Sequence, residues 1–216
     1  MKYLKIGLPV AILIAGLIAI VVVQSDSAPN NGAVAGETMD GGTSPDGSDM
    51  VLGAEDAPVT VIEYASMSCP HCAHFHATTF PDLKKNYIDT GKVRFIYRDY
   101  PINKPALEGA MITRCAGPDR FFGFLKLLFA KQHIWAANKD SVTAIKDVVK
   151  LGGMKPDTVD QCLADEKLKE QVLSMRLRAE QEYEVVSTPT FIVQGVRHSG
   201  ALSFDEFEKV LKPLLP

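Results

Sequence analysis

A mixed α/β fold is predicted by three observations: two apolar, strand-like runs separated by one helical segment, a long stretch of purely helical period, and a closing hairpin followed by a capped helix. The first run, residues 57–64, is β-branched and apolar (Val59, Val61, Ile62, Tyr64), and the second, residues 92–98, alternates Val93, Phe95 and Tyr97 with polar partners. A strand, a helix and a second strand imply parallel pairing. The predicted order is β-α-β, a helical insertion over about residues 103–184, then β-β-α.

Ahead of the folded part, Lys2 and Lys5 precede an uncharged apolar run over residues 6–23. This is the pattern of a signal peptide or a membrane anchor. The run is longer than an ordinary signal core and close to the minimum for a spanning helix, so cleavage and anchoring both stay open. Ser25-Asp26-Ser27 and Ala33-Val34-Ala35 offer small-residue cleavage sites. Residues 24–49 lack Lys and Arg and are rich in Gly, Ser, Asn and Asp, which reads as a flexible acidic linker. Residues 50–216 form one domain.

The helix that starts near Cys69 is expected to kink at Pro81, resume through Tyr87 and end at Gly91. Between residues 103 and 184 the apolar residues recur at helical spacing. They run through Leu107 and Met111, then Phe121, Leu125 and Leu128, then Ile145 and Val148, then Leu168, Val172, Met175 and Ala179. Gly117-Pro118, Gly152-Gly153 and Lys155-Pro156 divide this segment into four or five helices. Residues 190–193 and 196–199 read as a hairpin closed by Gln194-Gly195, and Ser203 with Glu206 makes a capping box for a last helix striped by Phe204, Phe207, Leu211 and Leu214.

The 216-residue chain carries 23 basic and 26 acidic residues, a formal charge of −3. Lys2 and Lys5 fall in the leader, and Asp26, Glu37, Asp40, Asp46 and Asp49 in the linker, which leaves the domain balanced. Electrostatic capture of nucleic acid is therefore not indicated, and no nucleic-acid partner is expected. An exported chain with four cysteines has room for two disulfides.

The chemistry concentrates in Cys69-Pro70-His71-Cys72, which follows the first strand and opens the helix. Two thiols in that spacing can close a small disulfide. The first faces the unpaired N–H groups and positive end of the helix, which favours thiolate over thiol. Pro70 suits the first helical turn, where its missing N–H costs nothing. His71 can steady the Cys69 thiolate through its imidazole or through a helix N–H. A zinc site built on the same pair, with His74 or His76 nearby, is the competing reading. Covalent haem is excluded, because Ala73 rather than histidine follows Cys72. His74, His76, His133 and His198 are assigned no role.

The element order, the Cys-Pro-His-Cys letters and the later Thr188-Pro189 together resemble the thioredoxin superfamily, specifically its DsbA-like branch with a helical insertion, over residues 50–216. The resemblance implies a thioredoxin-like fold with an inserted all-helical subdomain and needs no metal or organic cofactor. It implies a cis Pro189 facing the dithiol, with Thr188 offering its backbone to a substrate strand, where composition alone would suggest an ordinary trans-proline. It also implies that Glu63, six residues before Cys69, is a buried acid that relays protons to the inner cysteine; an exposed strand residue is the alternative. Cys115 and Cys162, on separate helices of the insertion, read as a structural disulfide in an oxidising compartment, or else as two buried free thiols.

These expectations add up to a periplasmic or otherwise extracytoplasmic enzyme that introduces disulfides into reduced exported proteins. By family analogy a membrane quinone-linked, DsbB-like partner reoxidises it, and nothing demands more than a monomer. Thr188 departs from the valine of the best-known DsbA oxidases and is similar to the threonine of periplasmic isomerases, which keeps an isomerase or reductase in view. A tethered chaperone-like binding module with purely structural cysteines is the alternative of a different class.

Overall fold

The structure, a computed structural model, describes Ser44 and residues 46–216, so the apolar run 6–23 and the linker up to residue 43 lie outside the described residues. Among the described residues five strands form one sheet: β1 (Met50–Leu52), β2 (Val59–Ala65), β3 (Val93–Asp99), β4 (Thr190–Val193) and β5 (Val196–Ser199), in the order β1-β3-β2-β4-β5. β2 and β3 run parallel, with Glu63 beside Tyr97, and β4 lies antiparallel on the other side of β2, with Phe191 beside Glu63. β1 and β5 are the antiparallel edges. The β4–β5 turn has positive φ at both Gln194 (46°) and Gly195 (81°), the backbone that matches the twist of a two-residue hairpin.

Side chains alternate across the sheet, and this sorts the core into two layers. Val61, Ala65, Phe95, Tyr97, Phe191 and Val193 pack with Phe75 and Leu83 of α1 (Pro70–Leu83) and with Phe207 and Leu211 of α8 (Phe204–Leu211). Ile62, Tyr64, Ile96 and Ile192 face the other way, against Ala179 of α7 (Glu166–Tyr183) and Val185. Each fully buried aromatic of the first layer contributes on the order of 2–3 kcal/mol by leaving water. Glu63 occupies an odd-numbered place in β2, so the same alternation drives its carboxyl into the α1-facing layer.

Between β3 and β4 run α2 (Lys104–Cys115), α3 (Pro118–Ala130), α4 (Gln132–Trp135), α5 (Ser141–Lys150), α6 (Pro156–Leu163) and α7, six helices where four or five were predicted. The extra one is the single turn α4, too short to show a period. Trp135 at its end is buried and donates from Nε1 to the Leu128 carbonyl at 2.9 Å.

Other boundaries also differ from expectation. The first helix passes through Pro81 and widens into π-helical turns over Lys84–Ile88, with Asp89 N–H donating to the Lys84 carbonyl at 2.8 Å. β1 was not predicted, because three residues carry too little alternation to be read. Leu214 was placed on the apolar stripe of the last helix, but the chain tightens into a 3₁₀ turn over Lys212–Leu214 and leaves it 41% exposed.

The end of the segment read as linker is built into the domain. The Asp49 carboxylate is buried and takes a two-pronged hydrogen bond from Arg98, Nε at 2.7 Å and Nη2 at 2.9 Å, while Nη1 of Arg98 donates to the Tyr64 hydroxyl at 2.9 Å. Arg178 holds Ser44 and Asp46 at 3.1 Å each. A buried guanidinium needs a carboxylate, and the sequence places that carboxylate one residue before β1. Arg114 of α2, itself ion-paired with the buried Asp99 of β3, also donates to the Ser48 carbonyl.

Candidate active site

Cys69 caps the N-terminus of α1 and Pro70 follows at its first position. Cys69 and Cys72 are both free thiols and both buried, Cys69 at 5% exposure and Cys72 at 0%. Their environments push the two sulfurs apart. The Cys72 thiol donates to Cys69, and together with the Thr188 side chain and the backbone N–H groups of Cys72 and His71 it draws the Cys69 pKa from 9.0 down to about 5, against the opposing effect of burial. Burial pushes the Cys72 thiol well above its ordinary value, helped by the hydrogen bond it gives to Cys69 and by the negative charge of Glu63. One sulfur is therefore an anion at neutral pH and its neighbour keeps its proton.

His71 is exposed, and it aids Cys69 through its backbone N–H rather than its ring. Thr188–Pro189 is a cis peptide. The Cys69 Sγ lies 3.3 Å from the Thr188 carbonyl, a contact the protonated thiol makes as donor. That carbonyl favours the thiol, so the depression of Cys69 comes from the donors around it. Pro189 precedes β4, and its own carbonyl accepts from Gly200 N–H at 2.9 Å, which ties the loop to the residue that follows β5.

Beneath the dithiol, Glu63 is fully buried and His76 nearly so, with Nε2 of His76 2.8 Å from Oε2 of Glu63. The His76 ring stacks on Phe129 of α3 at 4.6 Å between centroids and lies within 6.1 Å of the Tyr97 ring. His76 was assigned no role because helix histidines are usually solvated. Its spacing was the available signal: it stands four residues after Cys72, on the same face of α1, turned toward β2. Gln132 was also missed. Its side-chain amide donates to the Met67 carbonyl and to the Cys69 carbonyl, each at 2.9 Å, so α4 braces the loop that carries the first cysteine. A lone polar residue beside a short apolar turn gives no sequence signal for this.

Cys115, the last residue of α2, and Cys162 of α6 are joined by a disulfide, Cα to Cα 5.8 Å, which ties two helices of the insertion together. With those sulfurs bonded to each other and His76 on Glu63, the zinc reading lacks donors. Among the described residues no group of three or more His, Cys, Asp or Glu stands together for a metal.

The thioredoxin family's sequence model matches residues 45–213. A crystal structure of Wolbachia pipientis alpha-DsbA1 superposes with a TM-score of 0.72 at 31% identity, covering 77% of this chain and 90% of that one. The chain belongs to the thioredoxin family, in its DsbA-like branch. BdbD from Bacillus subtilis is a further similar structure, with a TM-score of 0.69 at 28% identity over 77% of this chain and 92% of that one. Among sequence relatives, a Rickettsia felis protein provisionally named a protein-disulfide oxidoreductase is 35% identical over 171 residues, 79% of this chain and 61% of its own length. The match spans between 57% and 62% of the Rickettsia relatives' length. In this DsbA-like frame the dithiol loop is reached from two directions, by Gln132 of the helical insertion and by the Thr188 carbonyl of the cis-proline loop.

Proposed function

We propose that the protein is an extracytoplasmic thiol-disulfide oxidoreductase that donates disulfides to exported proteins through Cys69-Pro70-His71-Cys72. The observation that carries this reading is the split between the two sulfurs, with Cys69 drawn down to about 5 and Cys72 pushed up. A substrate thiolate attacks Cys69 in the oxidised protein, forming a mixed disulfide and expelling Cys72. A second substrate thiolate then attacks the substrate sulfur of that mixed disulfide and expels Cys69, which leaves readily because its anion is stabilised. Because the reduced protein is the stabilised one, the oxidised protein is a strong donor. Thr188 and Pro189 border the sulfur where a substrate strand would lie, and Glu63 serves the proton of Cys72. The Cys115–Cys162 bridge is structural and does not turn over.

Reoxidation falls to a membrane quinone-linked, DsbB-like partner, the protein works as a monomer, and the leader over residues 1–23 exports or tethers it. The names of the relatives, oxidoreductase among them, support this reading. Thr188 ahead of the cis-proline is the observation that favours the second reading, an isomerase or reductase. Equilibration with glutathione tests the choice: a potential close to the oxidising end of the dithiol range supports the donor, and one near thioredoxin's removes it. Cys69→Ser should abolish oxidation of a reduced, unfolded secreted protein. Retained activity would support a binding module instead.

A further inference from the structure

We propose that His76 is a positioning residue for Glu63, and that the two buried side chains share one proton which they lend to the Cys72 sulfur each time the dithiol turns over. The inference rests on the reading of Glu63 as the proton carrier of Cys72, and adds the partner that makes a buried carboxyl able to do it.

The geometry gives three grounds. Glu63 lies in an apolar layer with no exposure, its Oε2 is taken by Nε2 of His76 at 2.8 Å, and its Oε1 has no hydrogen-bond partner among the described residues. A lone buried carboxylate is costly, and a lone buried imidazolium equally so. With one proton between them the pair is neutral in either form, acid with imidazole or carboxylate with imidazolium. Second, the His76 ring is fixed by its stack on Phe129 and its contact with Phe80, so it cannot swing to solvent without breaking aromatic packing. Third, the groups facing the pair are few. α1 presents Cys72, whose thiol feels the Glu63 charge, β3 presents Tyr97, and behind Tyr97 stands the Asp99–Arg114 pair. α3 presents the apolar Phe129.

In the donating step a substrate thiolate bonds to Cys69 Sγ, the Cys69–Cys72 bond breaks, and its electron pair departs on Cys72 Sγ. The pair's proton passes to that sulfur, leaving the Glu63 carboxylate hydrogen-bonded to the neutral His76 ring. Once a second substrate thiolate displaces Cys69, the substrate dithiol has been oxidised by two electrons and the protein disulfide reduced. Reoxidation runs the transfer backwards: Cys72 returns the proton as its sulfur attacks the mixed disulfide formed with the reoxidising partner.

The test mixes oxidised protein with a reduced dithiol peptide and follows loss of the Cys69–Cys72 disulfide by acid quench and alkylation across acidic to alkaline pH. His76→Gln keeps a donor for Glu63 but cannot ionise, whereas His76→Leu removes both properties. Both variants should be slower than wild type by about tenfold at neutral pH, with a deficit that grows as pH rises and solvent protons become scarce. Glu63→Gln should show the same pattern, the Glu63→Gln/His76→Gln double variant should be no worse than either, and the Cys69 alkylation midpoint should stay where it is in wild type. If His76→Gln behaves like wild type, or its deficit is the same at every pH, the proton-sharing role is overturned while the Glu63 relay stands. A silent Glu63→Gln overturns both. An unactivated Cys69 midpoint instead overturns the donor function itself.

Discussion

The depressed pKa of Cys69 makes the clearest quantitative test. Between an ordinary thiol at 9.0 and one at about 5, the ionised fraction at pH 7 rises from roughly 1% to roughly 99%. In the reduced protein that difference is worth up to about a hundredfold in the dithiol–disulfide equilibrium, or about 60 mV for this two-electron couple. Because the folded pKa is lowered, the extra stability of the reduced form is complete only above pH 9, shrinks as pH falls, and is gone below about 5. Alkylation of the reduced protein by iodoacetamide at a series of pH values reads the midpoint directly, since Cys72 is buried and keeps its proton through this range. Cys72→Ala removes the strongest contributor and should raise the midpoint by about 1–2 units. A midpoint at 8 or above in the wild-type protein, or one that Cys72→Ala fails to move, would refute the account of the site.

Breaking the Cys115–Cys162 bridge with paired alanines opens a loop of 47 residues and should cost about 4 kcal/mol by the chain-entropy model, seen as a lower denaturation midpoint with disulfide exchange at Cys69 unchanged. Asp49→Asn removes the carboxylate that takes two hydrogen bonds from the buried Arg98 guanidinium and should destabilise the fold by about 3 kcal/mol; urea denaturation giving less than about 1 would place the residues just ahead of β1 outside the cooperative unit. Gln132→Ala withdraws a donor from the Met67 and Cys69 carbonyls, so we expect a loss of about 1–2 kcal/mol together with slower reaction at Cys69; a loss of stability alone would show that the brace does not tune the dithiol.

How far the molecule could be read in advance follows the range of the interactions. The hairpin with Gln194-Gly195 at its turn and the Ser203–Glu206 capping box depend on residues a few positions apart, and β2 and β3 each carry their own local pattern, their parallel pairing following from the helix between them rather than from any contact the sequence displays. Glu63 was legible as a strand residue, and its burial follows from period-2 alternation among apolar neighbours. His76 was not, because a helix histidine becomes buried only where a particular strand and a particular aromatic, here β2 and Phe129, close over it. β1 and the Asp49–Arg98 pair were missed for the same reason: three strand residues and one acid carry no period, and their meaning comes from β3 alongside.

By itself the chain specified the alternation of strands and helices, the helical character of the insertion and a dithiol at a helix N-terminus, since periodicity, capping and turn chemistry are properties of neighbouring residues. Only the tertiary structure decided that the Thr188 carbonyl, 119 positions away, lies against Cys69, that Gln132 reaches back to the same loop, and that Glu63 finds His76 in a dry layer below the second sulfur. Burial and charge proximity are made by segments meeting across the fold, and those two quantities set how readily each sulfur gives up its proton.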